Sequence, residues 1–85
     1  MAWNTEVAEK ADAGEVSELY RAVWMPYIGT FPKKLMEDRM PSPENVATSM
    51  ETKNYLIVRE SHAIIGVARA TLEHGACLLD RMVVH

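Results

Sequence analysis

The clearest pattern along the chain is a helical stripe of apolar residues near its start. The stripe consists of Val16, Leu19, Tyr20, Val23 and Trp24. This spacing repeats every three to four residues, which predicts an amphipathic helix with one buried face. Asp12 precedes the stripe as a candidate N-cap, and Glu15 follows at the position expected for a capping box. Pro26 should end the helix, because proline lacks the amide hydrogen and clashes with the preceding turn.

Weaker patterns predict three more elements before residue 53. Apolar and polar residues alternate over Trp3–Ala8, which indicates a strand. A second helix is expected from residue 30 or 32 to residue 40, where the run Pro41-Ser42-Pro43 must interrupt it. Ser42 then serves as the N-cap of a third helix, with Pro43 at the first helical position. This third helix should end near residue 52.

From residue 53 onward the period of the pattern falls to about two, the period of a strand. Strands are expected at Tyr55–Glu60, Ala63–Leu72 and Ala76–Val84, with Gly66 as a bulge or bend and Gly75 in a turn. Short turns between such strands give an antiparallel meander. Residues 1–85 are therefore predicted to form one α+β domain of order β-α-α-β-β-β, with a third short helix before the meander and helices packed on the sheet.

Composition narrows the classes of function. The chain has 85 residues, of which 12 are acidic and 9 basic, and its net charge of −3 argues against a general nucleic-acid binder. No apolar run is long enough to span a membrane. Cys77 is the one cysteine and cannot form an internal disulfide, so a cytoplasmic location is expected. His62, His74 and His85 lack the spacing of metal ligands, and no metal site is predicted.

Four segments resemble, in order and spacing, the GNAT superfamily of N-acetyltransferases. Ala11–Val16 looks like the family's Asp-capped first helix, and Tyr55–Val58 resembles its second strand. Ile64–Ala68 is similar to the third strand, in which a glycine follows two apolar residues. Leu79–His85 looks like the fourth strand. The resemblance extends over nearly the whole chain and implies a GNAT-like fold.

The resemblance stops where the family's cofactor loop would begin. In the family the fourth strand runs into a Pro-x-x-Arg/Gln-Gly-x-Gly/Ala loop and a helix, which hold the pyrophosphate of acetyl-CoA. The sequence stops at His85, before that motif, and contains no Gly-x-Gly pattern. The resemblance therefore implies the N-terminal half of an acetyltransferase, a truncated GNAT-like fold. A second half would complete it, and no useful turnover is expected from this chain alone.

The activity that the resemblance implies is transfer of an acetyl group from acetyl-CoA to an amine. The acceptor would be a small amine or the N-terminus or a lysine of a protein. In the family, the backbone of the fourth strand contacts the pantetheine arm and the thioester oxygen. By position, the backbone of Met82, Val83 and Val84 would make these cofactor contacts here.

Asp80 is the candidate catalytic residue. Simple alternation along the strand would place it on one face with the apolar Leu78, Met82 and Val84, where a carboxylate could have a raised pKa and act as a base. The alternative is an ion pair with Arg69, Arg81 or a partner chain. As a base Asp80 would be a catalytic residue, whereas in an ion pair it would have a structural role.

Aromatic residues and the cysteine are the remaining candidates. Trp24, Tyr27 and Phe31 surround the first interhelical connection, which in the family helps to shape the acceptor pocket. Their alternative role is to cover the core, which the helical stripe favours for Trp24. Cys77 is either a reactive thiol or a small buried hydrophobe, and the second is expected because no basic neighbour lowers its pKa.

The last predicted strand, Ala76–Val84, should present an unpaired edge. It is apolar, lacks proline and carries two charges that cancel, so it invites pairing with another strand. We expect a homo-oligomer or assembly with a second-half polypeptide through this edge. Two other functions stay open: a non-catalytic binding module that kept the acceptor side of the fold, and a small oligomeric α+β protein without a cofactor.

Overall fold

One antiparallel sheet and three α-helices make up the part of the chain that the computed structural model describes, residues 3–85. In chain order the elements are β1 (Trp3–Val7), α1 (Ala13–Trp24), α2 (Lys33–Arg39), α3 (Pro43–Ser49), β2 (Asn54–Glu60), β3 (Ala63–Glu73) and β4 (Ala76–Val84). The strands lie in the order β1-β2-β3-β4, and every neighbouring pair is antiparallel. The predicted α+β class is confirmed. No helix among these residues is long and apolar enough to cross a membrane.

The core lies between the helices and one face of the sheet. Val16 of α1, Val46 of α3 and Ile57 of β2 have 0% exposed surface. Leu19 and Tyr20 continue the buried face of α1, as the helical stripe predicts. Among residues 3–85 the helices cover this one face of the sheet, so the described fold has two layers.

The start of α1 differs from the predicted capping box. Asp12 precedes α1, but its carboxylate does not cap that helix: it accepts a hydrogen bond from the Glu9 amide at 2.9 Å and pairs with Arg59 at 2.7 Å. Glu15 instead accepts from the amide of Ile64 at 2.8 Å. The prediction is wrong here because a 3-10 turn at Lys10–Asp12 precedes α1, and the Asp12 carboxylate closes the start of that turn at Glu9 while it pairs with Arg59 of β2. Glu15 is occupied by the backbone amide of β3. These contacts attach the start of α1 to the sheet.

The other helix boundaries follow their prolines and caps. α1 ends at Trp24, and Pro26 lies in the 3-10 turn that comes next. The Ser42 hydroxyl accepts a hydrogen bond from the Asn45 amide at 3.2 Å, and Pro43 is the first residue of α3. The predicted N-cap of the third helix is therefore confirmed. That helix ends at Ser49, a few residues earlier than expected.

Two β-bulges interrupt the regular register of the sheet. In the first, Val58 pairs with Gly66 and Arg59 with Ile64, which leaves Ile65 as the extra residue. The bulge predicted at Gly66 thus lies at the neighbouring residue, Ile65. In the second, Val67 pairs with Val83 and Arg69 with Asp80. Between these pairs β4 has two residues and β3 has one, so β4 contains an extra residue.

The second bulge is centred on Arg81 and reverses the alternation of β4. Arg81 has a φ of 48°, in the left-handed region that residues with a Cβ rarely adopt. Beyond it Val83 is buried, whereas Met82 and Val84 have 62% and 72% of their surface exposed. Asp80 lies on the helix-covered face, beside its strand partner Arg69. The prediction that Asp80 shares a face with Met82 and Val84 is therefore wrong, because the bulge shifts the alternation by one residue.

The hairpin of β3 and β4 extends beyond the rest of the sheet. β2 begins at Asn54, which pairs with Ala70, so the hairpin residues beyond that pair have no β2 neighbour. Gly75 has a φ of 79° in the turn, as its predicted role requires. Cys77 lies in this projecting part and is exposed. The expectation of a buried cysteine is wrong because neither helices nor a further strand cover this end of β4.

The left-handed bulge makes a prediction about stability. Replacing Arg81 by Gly or Ala removes the same side-chain contacts, but only alanine retains the Cβ that disfavours positive φ. We expect Arg81→Gly to be about 1 kcal/mol more stable than Arg81→Ala in urea unfolding. Leu79, in regular strand, is the matched control, and Leu79→Ala should be more stable than Leu79→Gly by roughly 0.5–1 kcal/mol. Equal or reversed order at position 81 would contradict the left-handed bulge.

Candidate functional site

A cavity of about 220 Å³ lies where α1 meets the bulge of β4. Its lining residues are Tyr20, Trp24, Arg39, Pro41, Arg81, Met82 and Val83. The site thus brings together three residues that the sequence singled out, namely Trp24, Met82 and Val83. The sequence assigns no site role to the other four, although Arg81 lies within the Leu79–His85 segment of the resemblance.

Hydrogen bonds fix the bulge at the wall of this cavity. The Tyr20 hydroxyl, in the middle of α1, donates to the Arg81 carbonyl oxygen at 2.8 Å. Burial raises the pKa of Tyr20 well above its ordinary value of 10.0, so the hydroxyl keeps its proton at neutral pH. The Arg81 guanidinium contacts the Asp38 carboxylate at 2.9 Å and the Asp38 carbonyl oxygen at 3.0 Å. Arg81 is therefore bound to α1 by its backbone and to α2 by its side chain.

The electrostatic character of the cavity comes from two arginines. Arg81 is paired with Asp38, which offsets its charge. Arg39 follows Asp38 in α2 and has no carboxylate within 4.0 Å among residues 3–85. No carboxylate of the described chain lines the cavity. Its polar wall therefore presents net positive charge.

The aromatic residues form one cluster at the mouth of the site. The ring centroids of Trp24, Tyr27 and Phe31 lie 5.8 to 6.2 Å apart. Trp24 packs against the core and lines the cavity, whereas Tyr27 and Phe31 are exposed at 47% and 40%. Trp24 therefore combines both expected roles. Tyr27 and Phe31 contact the cavity only through Trp24.

Asp80 is held outside the cavity by a bidentate ion pair. The Arg69 guanidinium donates to the two carboxylate oxygens of Asp80 at 2.9 and 2.6 Å. These hydrogen bonds lower the pKa of Asp80 below its usual value of 3.8, despite some opposing desolvation. This direction is opposite to the raised pKa expected for a base. The structure thus contains the alternative interaction predicted for Asp80, an ion pair with Arg69.

The outer edge of β4 has no neighbouring strand within residues 3–85. The His85 amide donates to Ile65 at 2.9 Å, and successive amides of a strand point to opposite edges. The amide of Val84 therefore points outward to the open edge, and that of Val83 faces β3. The amide of Met82 belongs to the same peptide group as the Arg81 carbonyl, which is directed at Tyr20 on α1, so it points away from the helices and not along the edge. Of the three predicted backbone contacts, the amide of Val84 faces the open edge.

The histidines and the cysteine lie apart from the site. His62, His74 and His85 are exposed, at turns or at the end of β4. Among residues 3–85 no three His, Cys, Asp or Glu side chains come close enough to hold a metal ion. Cys77 lies near the tip of the β3–β4 hairpin and does not line the cavity.

No family model, curated protein or solved structure matches this chain. The functional argument therefore depends on the geometry of the cavity and of the open edge.

The bond from Tyr20 to the bulge predicts a loss of stability on removal of one oxygen atom. Tyr20→Phe leaves the Arg81 carbonyl without its donor, which should lower the free energy of unfolding by about 1–2 kcal/mol. Tyr27→Phe is the matched control, since its hydroxyl is exposed, and it should change stability by less than about 0.5 kcal/mol. Urea unfolding at pH 7 measures both values. Similar values for the two variants would contradict the anchoring role of Tyr20.

The Arg69–Asp80 pair predicts a pH-dependent contribution to stability. The folded pKa of Asp80 is lowered, so the contribution is present above the unfolded value near 3.8 and is lost as pH falls through the folded value. Asp80→Asn should therefore destabilise the fold at pH 7 and have little effect at pH 2, as urea unfolding would measure. Glu37→Gln, at an exposed site of α2, serves as the control. An equal effect of Asp80→Asn at both pH values would contradict the pairing.

Proposed function

We propose that this chain is the acceptor-side part of an acetyl-CoA-dependent N-acetyltransferase of GNAT type. The observation that carries the proposal is the cavity between α1 and the β4 bulge. It places Trp24, an acceptor-side candidate, on the same surface as Met82 and Val83, which are cofactor-side candidates. One acceptor-side candidate and two cofactor-side candidates that the resemblance implies thus line the same cavity.

The open edge of β4 suits the amide-rich arm of acetyl-CoA better than its pyrophosphate. The outward amide of Val84 is a donor without a strand partner among residues 3–85, and an extended amide chain can pair with such an edge. The pyrophosphate needs a cradle of backbone amides or several cations. Neither lies beside this edge in the described chain, so we assign that part of the cofactor to a second half.

The proposed reaction joins the acceptor nitrogen to the acetyl carbon and breaks the carbon–sulfur bond. The acceptor amine loses a proton, and the leaving thiolate gains one, so the transfer is balanced. When bound, acetyl-CoA supplies the acetyl thioester. An outward β4 amide would donate a hydrogen bond to the carbonyl oxygen, where negative charge develops. Trp24 and Val83 would position the acceptor in the cavity and exclude water.

No residue of this chain is assigned as the general base. The pKa of Asp80 is lowered by Arg69, so this carboxylate is a weak acceptor of protons. The cavity itself presents arginines, which favour the neutral, reactive form of a nearby amine by charge repulsion. The chain thus contributes positioning and charge rather than proton transfer.

A non-catalytic binding module is the second candidate. The observation that favours it is the large exposed apolar area on the sheet face opposite the helices, which includes Met82 and Val84. Such a module would not need acetyl-CoA. Dependence on acetyl-CoA therefore separates the two functions.

The test is a titration of the 85-residue chain with acetyl-CoA, followed in 1H–15N NMR spectra. We expect saturable shifts centred on residues 82–84, with spread to the indole of Trp24. Val84→Pro removes one outward amide and should weaken binding about 5- to 10-fold. Cys77→Pro is the matched control, since alternation from the hairpin turn also places its amide on the open edge, away from the cavity.

Two results would contradict the proposal. One is the absence of shifts at millimolar acetyl-CoA with a folded chain, which would favour the binding module. The other is equal weakening by Val84→Pro and Cys77→Pro, which would locate any binding along the whole edge instead of at the cavity. Free adenosine diphosphate, which shares the pyrophosphate but lacks the thioester arm, should cause no shifts at residues 82–84.

A further inference from the structure

Arg39 is a half-buried arginine without a carboxylate partner among residues 3–85. The side chains of Arg59, Arg69 and Arg81 are 15% to 22% exposed, and each has a carboxylate oxygen at 2.6 to 2.9 Å. Arg39 is also half-buried, yet no carboxylate of the described chain lies within 4.0 Å of it. A guanidinium that has lost part of its hydration is costly unless an anion or another acceptor replaces the water. The environment of Arg39 therefore favours an anionic ligand.

The two acidic residues that precede Arg39 in α2 contact other cations. Both carboxylate oxygens of Asp38 accept hydrogen bonds from the Arg81 guanidinium, at 3.0 and 2.9 Å. The carboxylate of Glu37 lies 4.0 Å from the ammonium group of Lys33. Successive residues of a helix project in different directions from its axis. The sequence neighbours of Arg39 thus do not neutralise it.

Arg39 lines the cavity between α1 and the β4 bulge, where most of the wall is apolar. The apolar part consists of Trp24, Pro41, Met82 and Val83. The other polar groups of the wall are engaged, since the Tyr20 hydroxyl donates to the Arg81 carbonyl and the Arg81 guanidinium binds Asp38. The volume of about 220 Å³ is below the roughly 300–1,000 Å³ of sites for drug-sized ligands. This cavity suits a small compound with one anionic group and an apolar body.

A carboxylate matches the charge of Arg39 better than a phosphate does. A planar guanidinium can donate two parallel hydrogen bonds to the two oxygens of a carboxylate. A phosphate dianion would lie beside apolar side chains with part of its charge uncompensated, which is costly. Phosphate sites often use the amides of a helix N-terminus, whereas Arg39 is the last residue of α2. The anionic group of the ligand is therefore a carboxylate.

We propose that the acceptor is a small amine of the amino-acid class, and that Arg39 binds its carboxylate. The role of this compound as an acceptor rests on the proposed function, whereas the binding of a carboxylate at Arg39 does not. The assignment narrows the acceptor class, because the N-terminal residue or an internal lysine of a protein has no free α-carboxylate. Arg39 is thus a specificity-determining residue of the cavity.

The position of Arg39 also suits the transfer. Arg39 lies on α2 and Val83 on β4, and both line the same cavity. A compound held at Arg39 by its carboxylate would extend its amino group toward the strand that we assign to the cofactor. Pairing with Arg39 also removes the attraction that the carboxylate exerts on the ammonium form, so that more of the amine is neutral and reactive.

The test uses the 85-residue chain and three probes with one aliphatic skeleton, followed in 1H–15N NMR spectra. Leucine has the amine and the carboxylate, isocaproate has only the carboxylate, and leucinamide has only the amine. Leucine and isocaproate should shift the Trp24 indole signal saturably in the millimolar range. Leucinamide should bind at least about 10-fold more weakly, because it lacks the group that Arg39 recognises.

Substitutions at position 39 locate the binding. Arg39→Gln removes the charge and should weaken isocaproate binding roughly 10- to 100-fold. Arg39→Lys keeps the charge but loses the planar fork, and should weaken binding about 3- to 10-fold. Arg21→Gln is the matched control and should leave binding unchanged. Arg21 has no carboxylate partner in the described chain either, but it is exposed on α1 and does not line the cavity.

Four outcomes would overturn the proposal. The first is the absence of shifts with leucine and isocaproate in a folded chain. The second is binding of leucinamide as tight as that of leucine. The third is equal weakening by Arg39→Gln and Arg21→Gln, which would indicate general attraction of anions. The fourth is tighter binding of inorganic phosphate than of isocaproate at Arg39, which would indicate a phosphate site. Circular dichroism establishes that each variant is folded, and Arg39→Lys decides the question if Arg39→Gln unfolds.

Failure of this inference is distinguishable from failure of the proposed function, because isocaproate binding is measured without acetyl-CoA. Shifts at residues 82–84 with acetyl-CoA, but none with isocaproate, would overturn the role of Arg39 and leave the proposed function intact. Isocaproate binding that depends on Arg39, without binding of acetyl-CoA, would support the carboxylate site and overturn its role in holding an acceptor.

Discussion

The structure depends on the bond between the Tyr20 hydroxyl and the Arg81 carbonyl oxygen. It joins the middle of α1 to the one residue of β4 that adopts a left-handed backbone. A residue with a Cβ adopts that conformation only where its surroundings compensate for the unfavourable φ. Here the compensation comes from two contacts of Arg81. Its backbone carbonyl accepts the bond from Tyr20, and its side chain is bound to Asp38 on α2.

This local constraint determines which side chains of β4 face the helices. Arg81 divides the strand into two parts whose alternation is opposite. Before it, Asp80 lies beside Arg69 on the covered face, and beyond it Val83 enters the core. The helix-side cavity and the exposed apolar face are therefore opposite sides of one backbone irregularity. A change in the bond to Tyr20 would affect both surfaces together.

The elements of the fold were predictable because local signals agreed with the global arrangement. The proline after α1, the Ser42 cap and the period of two after residue 53 all specify structure within a few residues. The boundaries of β4 match the prediction, at Ala76 and Val84. These features need no knowledge of distant parts of the chain.

The features that could not be predicted all depend on contacts between distant residues. Asp12 and Glu15 form a reasonable capping box by sequence, but Arg59 and the Ile64 amide, far along the chain, attract both carboxylates. Position 81 is an arginine, so the sequence contains no glycine that would indicate a bulge there. Regular alternation, without this bulge, predicts the wrong face for Asp80. Arg39 joins the cavity only through the packing of α2.

The candidate site was predictable in part. The resemblance implies site roles for Trp24, Met82 and Val83, and these three residues line one cavity. Tyr20 is a core residue of α1, as the helical stripe predicts, and its hydroxyl also has a specific acceptor. A tyrosine within a buried apolar stripe is the signal that could have indicated such a bond, since a buried hydroxyl needs a partner.

The pairing of β1 with β2 has a consequence for how the chain assembles. The β2–β3 and β3–β4 hairpins close through short turns, but β1 joins the sheet by pairing with the distant β2, from Trp3 with Glu60 to Val7 with Leu56. That contact closes a loop of roughly 50 residues, and the entropy of loop closure rises with loop length. Each hairpin of the meander closes over a short turn, whereas pairing of β1 requires closure over the segment that holds the three helices. We therefore expect the first strand of the sequence to be the last to join the sheet.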